Sequence, residues 1–236
     1  MIDAAKDILE AKCPGVVSCA DIVAFAGRDA SKFLSYGAID FAMPAGRYDG
    51  NVSLASETLG KNLPPPFGDL DLITAMFAAK GLSQADMVVL SGAHSIGRSH
   101  CSSFPDRVPP PASPTNTSMN PELGATLNRT CGAGDSTTTV PQDFVTPDSL
   151  DVQYYKNVLS RDVLFNSDAV LTSSQTKDLV DFYAGNRLLF PKLFGPAVWN
   201  QHFGQAMVKM GNIGVKTSKT EGEIRKKCGF VNNKPY

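Results

Sequence analysis

"LSQADMVVLSGAHSIGRSHC", residues 82–101, sets a histidine into a run of small residues. Ser83 and Asp86, three positions apart and just ahead of Met87, Val88, Val89 and Leu90, form the pattern of a capping box and predict a helix start. On a helix Leu90 and Met87 stand at i−4 and i−7 from His94, which predicts that the imidazole shares their buried face. Ser91, Gly92 and Ala93 clear space around it. His94 and His100 are six apart and fall on different helix faces, which does not suit a zinc pair of the H-x-x-x-H kind. A satisfied core histidine is the ordinary reading of such a stretch, so the rest of the sequence has to argue for a ligand.

The chain has 236 residues, enough to bury a sizeable core. Its 42% hydrophobic and 19% charged residues are a globular balance. The net charge of −1 gives no electrostatic reason to expect nucleic acid or an anionic membrane as partner. No apolar run approaches a bilayer span. The opening "MIDAAKDILEAK" mixes charges with apolar residues and is not a signal peptide. Yet five cysteines, at 13, 19, 101, 131 and 228, lie far apart without a C-x-x-C pair and read as disulfides rather than zinc ligands. Sequons stand at Asn51, Asn116 and Asn128 in polar, turn-rich surroundings. These secretory marks, the lack of a signal peptide and the odd cysteine are reconciled if the N-terminus is missing.

The remaining pattern is mostly helical. Ile2, Ala5, Ile8 and Leu9 share one face of a first helix that stops at Cys13-Pro14-Gly15. Ser18 and Asp21 form another capping-box pattern, opening "SCADIVAFAGRDA", which is apolar on nearly all sides and is expected at the centre of the core. "YGAIDFAMPAGRYDGNVS" reads as loop or short strand, and "NLPPPFG" as a firm break. Asp69–Lys80 is a helix closed by Gly81. Residues 105–150, rich in Pro, Ser, Thr, Asn and Gly, read as a long excursion with short helices. "SLDVQYYKNVLSRDVLF" and "SQTKDLVDFYAGN" are helical, and Trp199, Phe203, Ala206 and Met210 form a stripe on the last helix. No nucleophile elbow, Walker loop or dinucleotide fingerprint is present.

Four segments, "CPGVVSCADIVAFAGRDA", "LSQADMVVLSGAHSIGRSHC", "LDVQYYKNVLSRDVLFNSDAVL" and "FGQAMVKMGNIGV…GEIRKKCGF", occur in the order found in class III plant secretory haem peroxidases. The chain resembles that family over essentially its whole length. The resemblance implies an all-α haem-peroxidase fold, with residues 1–236 as one partial domain, binding haem b and Ca²⁺. It implies oxidation of small phenolic donors by hydrogen peroxide, in peroxide removal, the response to oxidative stress or cell-wall chemistry. It also implies a monomer with no nucleic-acid or membrane partner, secreted or vacuolar. By resemblance His94 is the axial ligand of the haem iron, and Asp168 accepts the other imidazole N–H and orients the ring. Ser95, Asp143, Thr146, Ser149 and Asp151 match a calcium loop, supplying the hard oxygen donors that ion takes. Pro64 matches the family's proline at the haem edge where donors dock. The pairing Cys19–Cys228 and Cys101–Cys131 follows the family, leaving Cys13 alone, and Asp21 with Arg47 matches an internal ion pair. His100 and His202 are expected to be structural.

The family's distal motif, R-x-x-F-H-D-C, has no counterpart in these residues. The chain is therefore expected to be incomplete at its N-terminus, without the distal histidine and arginine that activate peroxide. Two function classes follow: a peroxidase read from an incomplete gene model or fragment, or a catalytically impaired remnant that binds haem and calcium.

Overall fold

The computed structural model describes residues 1–58, 62–108, 119–132, 136–186 and 194–232. The sequon at Asn116 lies outside these residues. The elements are α1 (Ile2–Lys12), α2 (Cys19–Leu34), α3 (Leu70–Ala78), α4 (Gln84–Ser91), β1 (Arg98–His100), α5 (Pro121–Thr130), β2 (Thr139–Pro141), α6 (Gln153–Ser160), α7 (Asn166–Ala169), α8 (Lys177–Tyr183) and α9 (Phe194–Gly211). The mostly helical reading of the sequence holds. The chain divides into two compact units, one made of Met1–Thr58 with Met207–Tyr236 and the other of Leu59–Ala206.

In the first unit α1 ends at Lys12, where Cys13 leads into Pro14 and Gly15, the latter at φ +69°. Its enclosed residue is Lys6, fully buried, whose ammonium meets Glu10 at 2.5 Å and the Val17 carbonyl at 2.6 Å. Ile8, expected on the buried face, is 60% exposed. The enclosed face centres on the buried Lys6 ammonium, which an apolar count overlooks. The Ser18 hydroxyl caps α2 by accepting from Asp21 N–H. The Asp21 carboxylate does not reach back to complete the box. It accepts instead from the Gly46 N–H, the Arg47 N–H and the Arg47 guanidinium at 3.0 Å.

The α2 helix is not a central core helix. It buries Cys19, Asp21, Ile22 and Ser31, while Val23 and Phe33 face solvent. Its apolar composition exceeds the cover it receives in this unit. Asp49, itself buried, accepts from the N–H groups of Cys19, Ala20 and Arg225, fastening the α2 N-terminus to the C-terminal segment. Bridges Tyr48–Lys216 and Asp49–Glu223 lie beside it, as the loop-or-strand reading allowed. The Cys19–Cys228 disulfide closes a separation of 209 residues. In the chain-entropy view this constrains the unfolded chain by about 5 kcal/mol. Cys13 is free.

In the second unit Asp69 caps α3 through Leu72 N–H, and Gly81 follows it at φ +76°. Ser83 and Asp86 form a complete capping box on α4. The excursion after α4 contains the antiparallel pair β1–β2, in register Ser99–Val140, and α5. Cys101, Phe104, Met119, Leu123, Leu127, Val140 and Leu164 pack into one apolar cluster. The Cys101–Cys131 bridge, separated by 30 residues, closes at its edge. A second, aromatic core joins Tyr154 and Tyr155 of α6, Tyr183 of α8, and Trp199 and Phe203 of α9, all essentially buried. Met210, placed by period on the same stripe as Trp199, is 43% exposed.

Candidate functional site

The α4 helix does not carry His94. It ends at Ser91 and passes into a 3-10 turn over Gly92–Ser95. The Gly92 N–H bonds to the Val89 carbonyl, one residue closer than helical pairing. That tightening turns His94 out of line with Met87 and Leu90. Those two are buried, while the His94 side chain is 38% exposed. The shared buried face read from the sequence is thus corrected: the residue is aimed outward at the point where the helix changes pitch.

The turn is held from beneath. The Tyr155 hydroxyl donates to the Val88 and Val89 carbonyls at 3.0 and 3.2 Å, and the Trp199 indole N–H donates to Val89 at 3.3 Å. These carbonyls at the helix end would otherwise be buried and short of partners. A Cβ on Gly92 would lie 2.7 Å from the Trp199 ring and 2.8 Å from the Tyr155 oxygen, so only glycine fits between His94 and this support.

His94 Nδ1 lies 2.8 Å from Asp168 Oδ1, although 74 residues separate them. Asp168 sits on α7 and is 2% exposed. The same oxygen accepts a hydrogen bond from the Tyr154 hydroxyl at 2.7 Å. Partial burial of the ring disfavours imidazolium, yet the charge of Asp168 and its hydrogen bond outweigh that and hold the His94 pKa above its ordinary value. Burial, with Asp168 adding to it, pushes the Tyr154 hydroxyl well up, so it stays protonated and donates to the acid. Phe165 packs edge-on against the imidazole with centroids 5.3 Å apart. Buried Arg107 donates to the Val163 and Leu164 carbonyls below α7.

With Nδ1–H given to a carboxylate, the neutral tautomer leaves Nε2 as a lone-pair donor. Among the described residues nothing bonds to it. A half-open imidazole whose other nitrogen is fixed by a buried acid is what a single-histidine metal ligand requires.

The five residues matched to a calcium loop come together directly behind His94. The Ser95 hydroxyl, fully buried, donates to the Ser149 carbonyl at 2.8 Å and lies 3.4 Å from Asp151. Thr146 Oγ1 reaches Asp143 at 3.4 Å and Asp151 at 3.3 Å. Asp143, 1% exposed, also accepts from the N–H groups of Val145 and Thr146. Two carboxylates, two hydroxyls and a carbonyl make an all-oxygen set fit for a hard divalent cation.

Pro64 is half-buried in a turn that leads to Pro66 and Gly68. The Pro66 carbonyl accepts from Ser167 N–H, and Asn166 donates to Phe67 and Gly68, so the turn is tied to the helix bearing Asp168. Both expected cysteine pairs are bonded. His100 is exposed on β1. His202 has a partner the sequence did not suggest, the Tyr183 hydroxyl at 2.8 Å from its Nδ1. Tyr154, Tyr155, Phe165, Trp199 and the glycine role of Gly92 were also missed. The sequence marked Trp199 only as part of a helical stripe, Gly92 only as space beside His94, and the paired tyrosines of "VQYYKN" only as helical.

The helical fold thus carries a half-buried, carboxylate-braced histidine with a cluster of oxygen donors beside it. A peroxidase family model matches residues 1–186. The chain is 51% identical to Peroxidase 2 of Zea mays, covering 99% of this chain and 66% of that protein. It is 44% identical to Peroxidase 5 of Vitis vinifera (99% and 68%) and 40% identical to Peroxidase 39 of Arabidopsis thaliana (98% and 69%). The chain thus spans about two thirds of the length of these curated relatives. It belongs to the peroxidase family, among the class III plant members.

Proposed function

We propose that this chain holds haem b through His94 and serves the oxidation of small phenolic donors by hydrogen peroxide. The observation that carries the reading is the His94–Asp168 contact of 2.8 Å, with Nε2 left open among the described residues. The donor set fits haem: one neutral imidazole nitrogen, half exposed, with its partner nitrogen anchored. Haem, when bound, supplies the redox chemistry with peroxide. The residues do the rest. Asp168 accepts the Nδ1 proton and makes Nε2 a stronger donor. Tyr154, donating to the same oxygen, moderates that pull. Gly92, Tyr155 and Trp199 fix the backbone from which the imidazole projects.

Ca²⁺ is the ion we assign to Ser95, Asp143, Thr146, Ser149 and Asp151. Its charge would offset the two clustered carboxylates, and its contact with Ser95 would brace the neighbouring His94. Pro64 is assigned to donor docking, since its turn is joined to α7. Two bonded cystines and the exposed sequons at Asn51 and Asn128 support a secreted or vacuolar glycoprotein. Among the described residues no helix is long and apolar enough to cross a membrane. We read residues 1–236 as part of one peroxidase domain acting as a monomer.

The test is the purified chain titrated with haem and then mixed with hydrogen peroxide and a phenol. A Soret band that develops with haem, followed by peroxide-dependent phenol oxidation that is slow for want of the distal histidine and arginine, is the expected result. Haem uptake without turnover would favour the remnant, and no uptake would defeat both readings.

A further inference from the structure

The aromatic core is a continuous line of ring contacts leading away from His94. The His94 and Tyr154 centroids are 6.2 Å apart, Tyr154 and Tyr155 are 5.1 Å apart, and Tyr155 and Tyr183 are again 5.1 Å apart. Trp199 stands to one side of Tyr155 at 5.9 Å. At the far end Tyr183 meets the His202 ring at 6.1 Å, and its hydroxyl lies 2.8 Å from His202 Nδ1. His202 is half-buried and so is in reach of water. Packing alone explains three tyrosine rings in edge-on and tilted contact. It does not call for the phenol of α8 to end on an imidazole.

That ending matters because a phenol gives up an electron easily only when its proton has somewhere to go. The three tyrosines differ in this. Tyr155 donates to backbone carbonyls, which do not take a proton. Tyr154 donates to Asp168, and protonating that acid would cancel its hold on His94. The Tyr183 hydroxyl instead lies 2.8 Å from a ring nitrogen of His202, and an imidazole nitrogen, unlike a backbone carbonyl, can take up a proton, here without touching the ligand. Burial, aided by the charge of Asp86, holds the Tyr183 pKa above its ordinary value, so the phenol is intact until it is oxidised.

We propose that Tyr183 and His202 form a proton-coupled redox site, reached from the His94 face through Tyr154 and Tyr155, where a phenolic donor at the protein surface delivers its electron. The inference rests on the haem-peroxidase reading for its oxidant, a haem oxidised by peroxide. In the forward step one electron leaves Tyr183 for that haem, which is reduced by one equivalent. The Tyr183 O–H bond breaks and an N–H bond forms on His202 Nδ1, leaving a neutral phenoxyl radical beside an imidazolium. In the return step the donor phenol supplies one electron to the radical, the imidazolium returns its proton, and the oxidised donor leaves with its own proton lost to water. Donors too bulky to approach His94 are the class this route would serve.

The test uses the full chain loaded with zinc protoporphyrin, photo-oxidised by a laser flash with a soluble electron acceptor, so that no peroxide chemistry is needed. Tyrosyl radical is followed by transient absorption and by electron paramagnetic resonance after freezing. The wild-type chain is expected to give a radical that Tyr183→Phe removes. His202→Gln keeps a hydrogen-bond acceptor but not a base, and should slow radical formation about a hundredfold or more, the usual loss for one acid–base group. Tyr155→Phe keeps the ring packing and should also reduce the yield. A radical that survives Tyr183→Phe, or forms at the wild-type rate in His202→Gln, overturns the proposal. A parallel mixing of the haem-loaded chain with hydrogen peroxide reports on the peroxidase reading alone, because the flash experiment decides the route whatever that mixing shows.

Discussion

Two buried aspartates, one in each unit, face a nitrogen base, and they are put to opposite uses. Asp21 in the first unit meets Arg47, whose remaining guanidinium donors go to the Gly211 carbonyl at 2.8 and 2.9 Å, to the Pro44 carbonyl and to Met43 Sδ. Every donor is spoken for and both partners are buried. Asp168 in the second unit meets His94, whose second nitrogen has no hydrogen-bond partner among the described residues. The first pair is closed and can only hold shape. The second is closed on one side and open on the other, which is the condition for binding something. Arginine suits the first because it is always charged and forks to several acceptors. Histidine suits the second because it offers a donor and a lone pair on one ring.

The largest expected effect falls on the closed pair. Asp21→Ala leaves the Arg47 guanidinium buried without its carboxylate, and should cost roughly 3–5 kcal/mol of stability. Denaturant unfolding measures it, and the haem spectrum of the molecules that remain folded should be unchanged. If haem ligation changed while stability did not, the division between the two pairs would be wrong.

Calcium gives an intermediate effect confined to the open pair's surroundings. At a hundredfold excess over its dissociation constant the ion should stabilise the chain by about 2.7 kcal/mol. Chelation should lower the melting temperature and weaken haem retention together, and Asp143→Ala should abolish both responses. A haem spectrum that ignores chelator would make the loop a brace for the fold alone.

Gly92→Ala probes the support beneath His94. The added methyl must displace Trp199 or Tyr155, and overpacking of this kind costs about 1–3 kcal/mol. The expected signature is a loss of haem affinity larger than the loss of stability. Equal losses would mean the glycine serves packing only.

Much of this was legible in the sequence, unevenly. The helix announced by the capping box at Ser83 was right, because capping is a local interaction. The Ser18 box was half right, since Asp21 had a stronger partner 26 residues away, in Arg47. The His94–Asp168 pair was readable only through family resemblance, because a separation of 74 residues leaves no periodic trace. Its outward aim was misread, because helical arithmetic assumes a constant pitch and the chain tightens at Gly92. Tyr154, Tyr155 and Trp199 were lost among core aromatics, since the pattern reports burial and not which carbonyl a buried hydroxyl serves.

The most direct test of the central claim is the iron–histidine stretching band in the resonance Raman spectrum of the ferrous, haem-loaded chain. The account predicts a band in the wild type and in Asp21→Asn at the same position, shifted downward in Asp168→Asn, where a carboxamide pulls less on Nδ1–H, and absent in His94→Ala. A band that persists in His94→Ala, or that stays in place in Asp168→Asn, would contradict it.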